Sequence, residues 1–291
     1  MVIVITGPTA TGKSELSLFL AKKLKGEIIN ADSTQVYEGL DIATNKIQDK
    51  KHIYHHLFDI IPIVEDYTVF DYQKDTRKII DRILEQGKTP ILVGGTGLYI
   101  KAALYDYEFT KKEKNTYEGI DNEKLYKKLL SIDPDTDIHK NNRVRIINAL
   151  NYYEANHKPY SKKEKNEKLL YDTLFIGLTA DRKILYDKIN TRVDTMFEEG
   201  LLEEARRLYD SKIRTKAVMT PIGYKELFDY FEGNITLEEA TELIKRHSRN
   251  YAKRQYTWFN NQMKLKWFNT DYDDFKNTEN EVLEYINSKK K

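Results

Sequence analysis

The chain contains no cysteine in 291 residues, which removes disulfides, thiolate nucleophiles and thiolate zinc sites from consideration. Proline is scarce, at 6 residues, so Pro-rich linkers are excluded. No apolar run approaches the roughly 20 residues that would span a bilayer, so no membrane partner is expected. A surplus of one charge is also missing. Lys and Arg number 48 against 46 Asp and Glu, and at a net +2 any polyanion-binding surface must be local. There is no internal repeat, and no basic leader precedes the first apolar run, so a cytoplasmic location is expected. The length suits one large domain with an insertion, or two modest domains.

What is present begins with GPTATGKS, residues 7–14. It lies between the apolar run Val2–Thr6 and a helical pattern carrying Leu16, Leu18, Phe19 and Leu20. This is the strand–loop–helix setting of a phosphate-binding loop, and G-x-x-x-x-G-K-[ST] is matched at Gly7, Gly12, Lys13 and Ser14. Glycines let backbone N–H groups and the helix N-terminus close on an anion, so Gly7, Pro8, Thr9, Ala10, Thr11, Gly12, Lys13 and Ser14 are predicted to hold a diphosphate or polyphosphate. Lys13 adds a point charge. The Ser14 hydroxyl is the expected ligand of Mg2+.

Strand-like runs recur at Val2–Thr6, Glu27–Asn30, Pro90–Val93 and Thr173–Leu178, with helical patterns at about 13–24 and 70–86 between them. The alternation predicts an α/β fold: a P-loop-type parallel sheet flanked by helices. Ligands of such sheets sit at the carboxyl ends of the strands, so residues 7–14, 32–37 and 94–99 are expected to converge. From about Thr110 the chain turns charged. KKEKN (111–115) and KKEKNEK (162–168) flank a helical stretch over 122–156, read as a helical insertion domain at 113–169 between core segments 1–112 and 170–291. From Asp181 to about Phe259 the chain reads as almost wholly helical.

Four further segments carry candidate chemistry. ADSTQVYEG (31–39) puts Asp32 after the second strand, beside the phosphate loop, where a single carboxylate suits proton acceptance; a turn-capping Asp is the alternative. In VGGTGLYIKA (93–102), Thr96 offers a hydroxyl, and Gly94, Gly95 and Gly97 would let another molecule approach the backbone; a simple tight turn is the alternative. HIYHHLFDI (52–60) holds three histidines, read as structural or pocket-lining rather than metal-binding, since no helix would bring His52 and His56 to one face. Between Leu243 and Trp267 there are seven Lys and Arg and no acid. Arg246, Arg249 and Lys253 share one helical face, and aromatics lie nearby, as a folded RNA would require; a solvated basic helix is the alternative.

Taken in order, GPTATGKS, IINADSTQVYEGLDIAT, HHLFDI, ILVGGTGLYIKA, EEGLLEEARRL, IGYKEL and YAKRQYTWF resemble the bacterial tRNA dimethylallyltransferases nearly end to end. The resemblance implies transfer of a dimethylallyl group from dimethylallyl diphosphate to N6 of adenine 37, in the anticodon stem-loop of tRNA, by a monomeric enzyme. It implies catalytic roles for Asp32 as general base and for Thr9, Lys13 and Thr96, with Thr9 at the bridging oxygen. Target-nucleotide contacts fall to Asp32, Ser33, Thr34, Gln35 and Thr96, and anticodon-arm contacts to Arg145, Arg249, Lys253 and Arg254. Some positions depart from the family pattern. Thr220 stands where an arginine often contacts the diphosphate, with Lys225 the expected substitute. Asn148 stands where relatives often have a second insertion arginine, and no arginine is evident around Tyr117. A prenyltransferase for free adenine nucleotide and a P-loop kinase are the alternatives; the kinase would require a second carboxylate near Asp32.

Overall fold

The structure, a computed structural model, describes residues 1–47, 52–107, 109, 117–163 and 168–289. Two compact units form, one from Met1–Leu104 with Leu169–Lys291 and the other from Tyr105–Lys168. The boundaries drawn at 112/113 and 169/170 thus lie eight and one residues beyond these junctions. Most of the two lysine-rich runs lies outside the described residues.

Chain order in the first unit opens with β1 (Val2–Thr6), α1 (Lys13–Leu24), β2 (Gly26–Asn30), β3 (His55–His56), α2 (Val69–Glu85), β4 (Thr89–Val93) and α3 (Gly97–Leu104). The second unit holds α4 (Asn122–Ile132) and α5 (Arg143–Asn156). The first unit resumes with β5 (Thr173–Thr179), α6 (Arg182–Glu198), α7 (Leu201–Asp210), α8 (Lys216–Met219), α9 (Tyr224–Phe231), α10 (Leu237–Gln262), β6 (Lys266–Asn269) and α11 (Phe275–Lys289).

Six strands form one wholly parallel sheet in the order β3-β2-β4-β1-β5-β6. VIVIT of β1 is buried throughout, as a central strand covered on both faces must be. Ile3, Ile5, Leu16, Leu20, Ile28, Ile91 and Ile176 pack α1 onto the sheet, and Val282 and Ile286 bring α11 to the same cluster. A second core gathers Val36 and Leu40, beyond β2, with Val193, Leu201, Leu227 and Ile244 of α6, α7, α9 and α10. This core hangs the C-terminal helices over the carboxyl edge of the sheet. The edge strands β3 and β6 carry no run of apolar residues long enough to be read as strands, and the sequence reading lacked both.

The expected helical stretch over 122–156 is broken. α4 ends at Ile132, Pro134 follows the capping Asp133, and α5 starts afresh where Asn142 accepts from the Arg145 N–H at 3.2 Å. Proline lacks the N–H that a continuing helix needs. Leu125, Leu129, Ile146 and Leu150 give this unit a small core of its own.

Candidate active site

Three loops meet at the carboxyl ends of β1, β2 and β4 around a cavity of about 760 Å³. Thr9–Ser14, Asp32–Gln35 and Gly94–Leu98 line it, with α6 and α10 supplying Arg192, Tyr251, Arg254, Gln255 and Trp258. The convergence expected of the three motifs therefore occurs, within one unit. Its volume falls in the usual range for small-molecule sites.

The phosphate loop is held in shape by its own side chains and by distant ones. Thr11 Oγ1 and Lys13 Nζ both donate to the Pro8 carbonyl, at 2.9 and 2.6 Å. Gly12, in the left-handed region at φ 81°, caps α1, whose positive end faces the loop. Gly7 and Pro8 do not line the cavity. A Cβ on Gly7 would meet the Leu178 carbonyl at 2.2 Å, so that glycine seats the loop on β5 rather than touching a ligand. Ser14 does line the cavity. Among the described residues no three His, Cys, Asp or Glu side chains cluster as a metal cage, so a cation beside Ser14 would draw its other oxygens from a diphosphate and water, as Mg2+ does.

Asp32 uses one oxygen locally. Its Oδ1 accepts from the Thr34 N–H at 3.0 Å and the Thr34 hydroxyl at 2.7 Å. Oδ1 thus caps a turn, as the alternative reading of this residue has it, while no described residue donates to Oδ2. The Asp32 N–H is pinned by Asn30 Oδ1 at 2.8 Å, and Thr96 Oγ1 accepts from the Ser33 N–H at 3.1 Å, joining two of the three loops. Gln35 points its amide N–H groups at the carbonyls of Thr44 (2.7 Å) and Asn45 (3.2 Å), both beside the cavity.

Gly94, Gly95 and Gly97 line the cavity and also admit close packing. What approaches them is the protein itself. A Cβ on Gly94 would lie 2.2 Å from Ala31, one on Gly95 2.0 Å from Gln255, and one on Gly97 2.0 Å from Trp258. Gln255 then ties two loops together, accepting from the Thr9 N–H at 2.9 Å and donating to the Gly95 carbonyl at 3.2 Å.

The residue that sequence reasoning missed is Arg192. It stands on α6, lines the cavity, and donates to the Thr9 hydroxyl, while its buried Nε has no partner among the described residues. Loss of water depresses its guanidinium to about 10. Loss of water, together with Arg192, brings the Lys13 ammonium down to about 7, against a partial opposing pull from Asp32. Two cations facing one carboxylate describe a site prepared for an anion. Only its place in TRVDTM could have signalled Arg192, and an isolated arginine on a helix has no local signature.

Lys225, the expected substitute for the arginine missing at Thr220, does not serve. It is exposed on α9 and absent from the cavity wall, because the buried face of that helix carries Tyr224, Leu227 and Phe228. Thr220 itself lines the cavity. Arg254 lines both the cavity and a shallower groove on the outer side of α10 that includes Lys253. Arg249 donates to Asn190 at 2.5 Å and lies apart from the cavity. Arg145 belongs to the second unit, exposed, 3.9 Å from Asp137. Of the three histidines, His55 and His56 form β3, and His56 pairs with Glu27 at 2.7 Å.

Among the described residues no helix is long and apolar enough to cross a membrane. The IPP transferase family profile matches residues 35–262. A tRNA dimethylallyltransferase of Anoxybacillus flavithermus is 47% identical, over 99% of this chain and 96% of that protein. The crystal structure of a tRNA delta(2)-isopentenylpyrophosphate transferase from Staphylococcus epidermidis superposes with a TM-score of 0.75 at 41% identity, covering 99% of both chains. A eukaryotic dimethylallyltransferase acting on tRNA gives 0.81 at 31% identity, over 92% of this chain and 73% of that one. On this sequence match and this shared architecture, the chain belongs to the IPP transferase family.

Proposed function

We propose that this protein transfers the dimethylallyl group of dimethylallyl diphosphate to N6 of adenine 37 in tRNA, releasing pyrophosphate. The observation that carries this reading is the cavity itself, in which the loop around Lys13 and Arg192 shares one space with the free Oδ2 of Asp32. An exocyclic amine conjugated to a purine is a weak nucleophile. Its attack on the allylic carbon forms the C–N bond as the C–O bond to the diphosphate breaks. Asp32 takes the amine proton on Oδ2. Charge developing on the departing diphosphate is met by Lys13, by the loop N–H groups, and by Arg192 with Thr9 at the bridging oxygen. Ser14 would hold Mg2+, which would supply further neutralisation of charge on the phosphate oxygens.

The adenine must leave its stack, at a cost of a few kcal/mol. Ser33, Thr34, Gln35 and Thr96 receive it. Arg249, Lys253 and Arg254 of α10, and Arg145 of the insertion, offset the cost through phosphates of the anticodon stem-loop. The enzyme works as a monomer in the cytoplasm.

Incubation with labelled dimethylallyl diphosphate and either unmodified tRNA or AMP tests the reading. Label should be recovered as N6-isopentenyladenosine from tRNA alone. Label on AMP, or phosphoryl transfer from ATP, would overturn it.

A further inference from the structure

The phosphate loop is gripped from outside the cavity by the segment between β6 and α11 together with the first residue of α11. Thr270 Oγ1 donates to the Thr11 carbonyl at 2.9 Å, and the Tyr272 hydroxyl donates to the Ala10 carbonyl at 2.9 Å. The Phe275 ring lies where a Cβ on Gly12 would fall, 2.4 Å away. None of these three side chains lines the cavity. They therefore act on the loop and not on a ligand.

Ala10 is the telling residue. Its φ of 64° lies in the left-handed region, which costs a residue with a Cβ of order 1–2 kcal/mol. Such a conformation persists only where surroundings impose it. Tyr272 reaches the carbonyl of that very residue. Loss of water pushes its hydroxyl up to about 12, so it is a donor at neutral pH. Lys188 of α6 lies over its ring, 5.0 Å from the centroid, and fixes its far side. With the carbonyls of Ala10 and Thr11 engaged behind the loop, its N–H edge is left for an anion.

We propose that Tyr272, supported by Thr270, is a positioning residue that holds Ala10 left-handed and so keeps the phosphate loop shaped for the diphosphate. This rests on the reading that the loop binds that group. The segment past β6 thus serves the leaving-group end of the reaction while touching no substrate.

The test uses the full-length protein and inorganic pyrophosphate, with affinity read by calorimetry. Tyr272→Phe keeps the ring and removes one hydrogen bond, so affinity should fall roughly three- to tenfold. The KM for dimethylallyl diphosphate should rise in step, with the KM for tRNA unchanged. Adding Ala10→Gly, which removes the left-handed penalty, should restore most of the loss; a general loss of stability would instead disturb the KM for tRNA as well. Lys13→Ala serves as the control for the underlying reading. If Lys13→Ala leaves pyrophosphate affinity intact, the loop does not hold the diphosphate and the proposal goes with it. If Lys13→Ala abolishes binding while Tyr272→Phe does not weaken it, or weakens it without rescue by Ala10→Gly, the positioning role is wrong and the loop assignment stands.

Discussion

The Arg192 guanidinium donates to the hydroxyl of Thr9 across 183 residues of sequence, placing a helix from the C-terminal half on the phosphate loop of the N-terminal half. The fork of a guanidinium suits two oxygens of a diphosphate in a way a lysine ammonium does not. Thr220 leaves this chain without the cation of the family pattern, and Arg192, on a different helix, lines the same cavity.

Replacing Arg192 by Gln should weaken pyrophosphate binding at least tenfold, with Arg192→Lys intermediate, as expected for a charge-assisted contact of about 1.5–3 kcal/mol. Lys225→Ala should leave it unchanged. Calorimetric titration of the three variants decides between the two positions, and a larger loss from Lys225→Ala would refute the assignment.

Asp32→Asn retains the oxygen that caps the Thr34 turn and removes the proton acceptor. Single-turnover transfer should fall by 10²-fold or more while tRNA affinity changes little. Rapid-quench measurement of labelled tRNA checks this. A wild-type rate would strip Asp32 of its role as base.

Lys13 titrates near 7 in the folded protein, against 10.5 ordinarily. The unfolded chain therefore binds more protons between pH 7 and 10.5. The lysine's destabilising contribution is complete below about 7 and disappears as pH rises toward 10.5, so the ligand-free protein gains stability across that window. Pyrophosphate should reverse this by restoring the proton. Titration at about pH 8.5 in buffers of different ionisation enthalpy should then show uptake of about one proton, after correction for pyrophosphate's own titration. Buffer-independent heats would contradict it.

Glu204, 1% exposed, accepts from the N–H groups of Asp41, Ile42 and Ala43 at 2.9, 2.9 and 3.1 Å, and from the Tyr224 hydroxyl at 2.8 Å. Ala43 begins the stretch whose carbonyls hold Gln35 at the cavity. Glu204→Ala leaves these donors unpaired and should cost roughly 2–4 kcal/mol of stability. A shift of the urea midpoint measures it; an unchanged midpoint would mean that water replaces the carboxylate without loss.

Arg249→Ala combined with Lys253→Ala should reduce the slope of log affinity for tRNA against log salt by about one per lost phosphate contact. Filter binding across a salt series reads the slope directly. An unaltered slope places the RNA surface elsewhere.

Sequence alone determined the elements whose signals are local. VIVIT, GPTATGKS and the helix after it declare strand, loop and helix within 24 residues, because glycine spacing and apolar periodicity are short-range properties. The same reasoning carried Asp32 and Thr96 to the strand ends where ligands sit. Tertiary structure alone decided which distant side chains complete the cavity. Arg192 and Tyr272 have no distinguishing neighbours in sequence, and Gln255, although it lies in YAKRQYTWF, gives no local sign of its partners; each acquires its contact only when α6, α10 or the segment after β6 packs against the loop. It also decided that Ala31, Gln255 and Trp258 fill the space beside Gly94, Gly95 and Gly97, and that Lys225 faces away. A backbone without a Cβ announces that something comes close; only the packing of the whole chain selects what does.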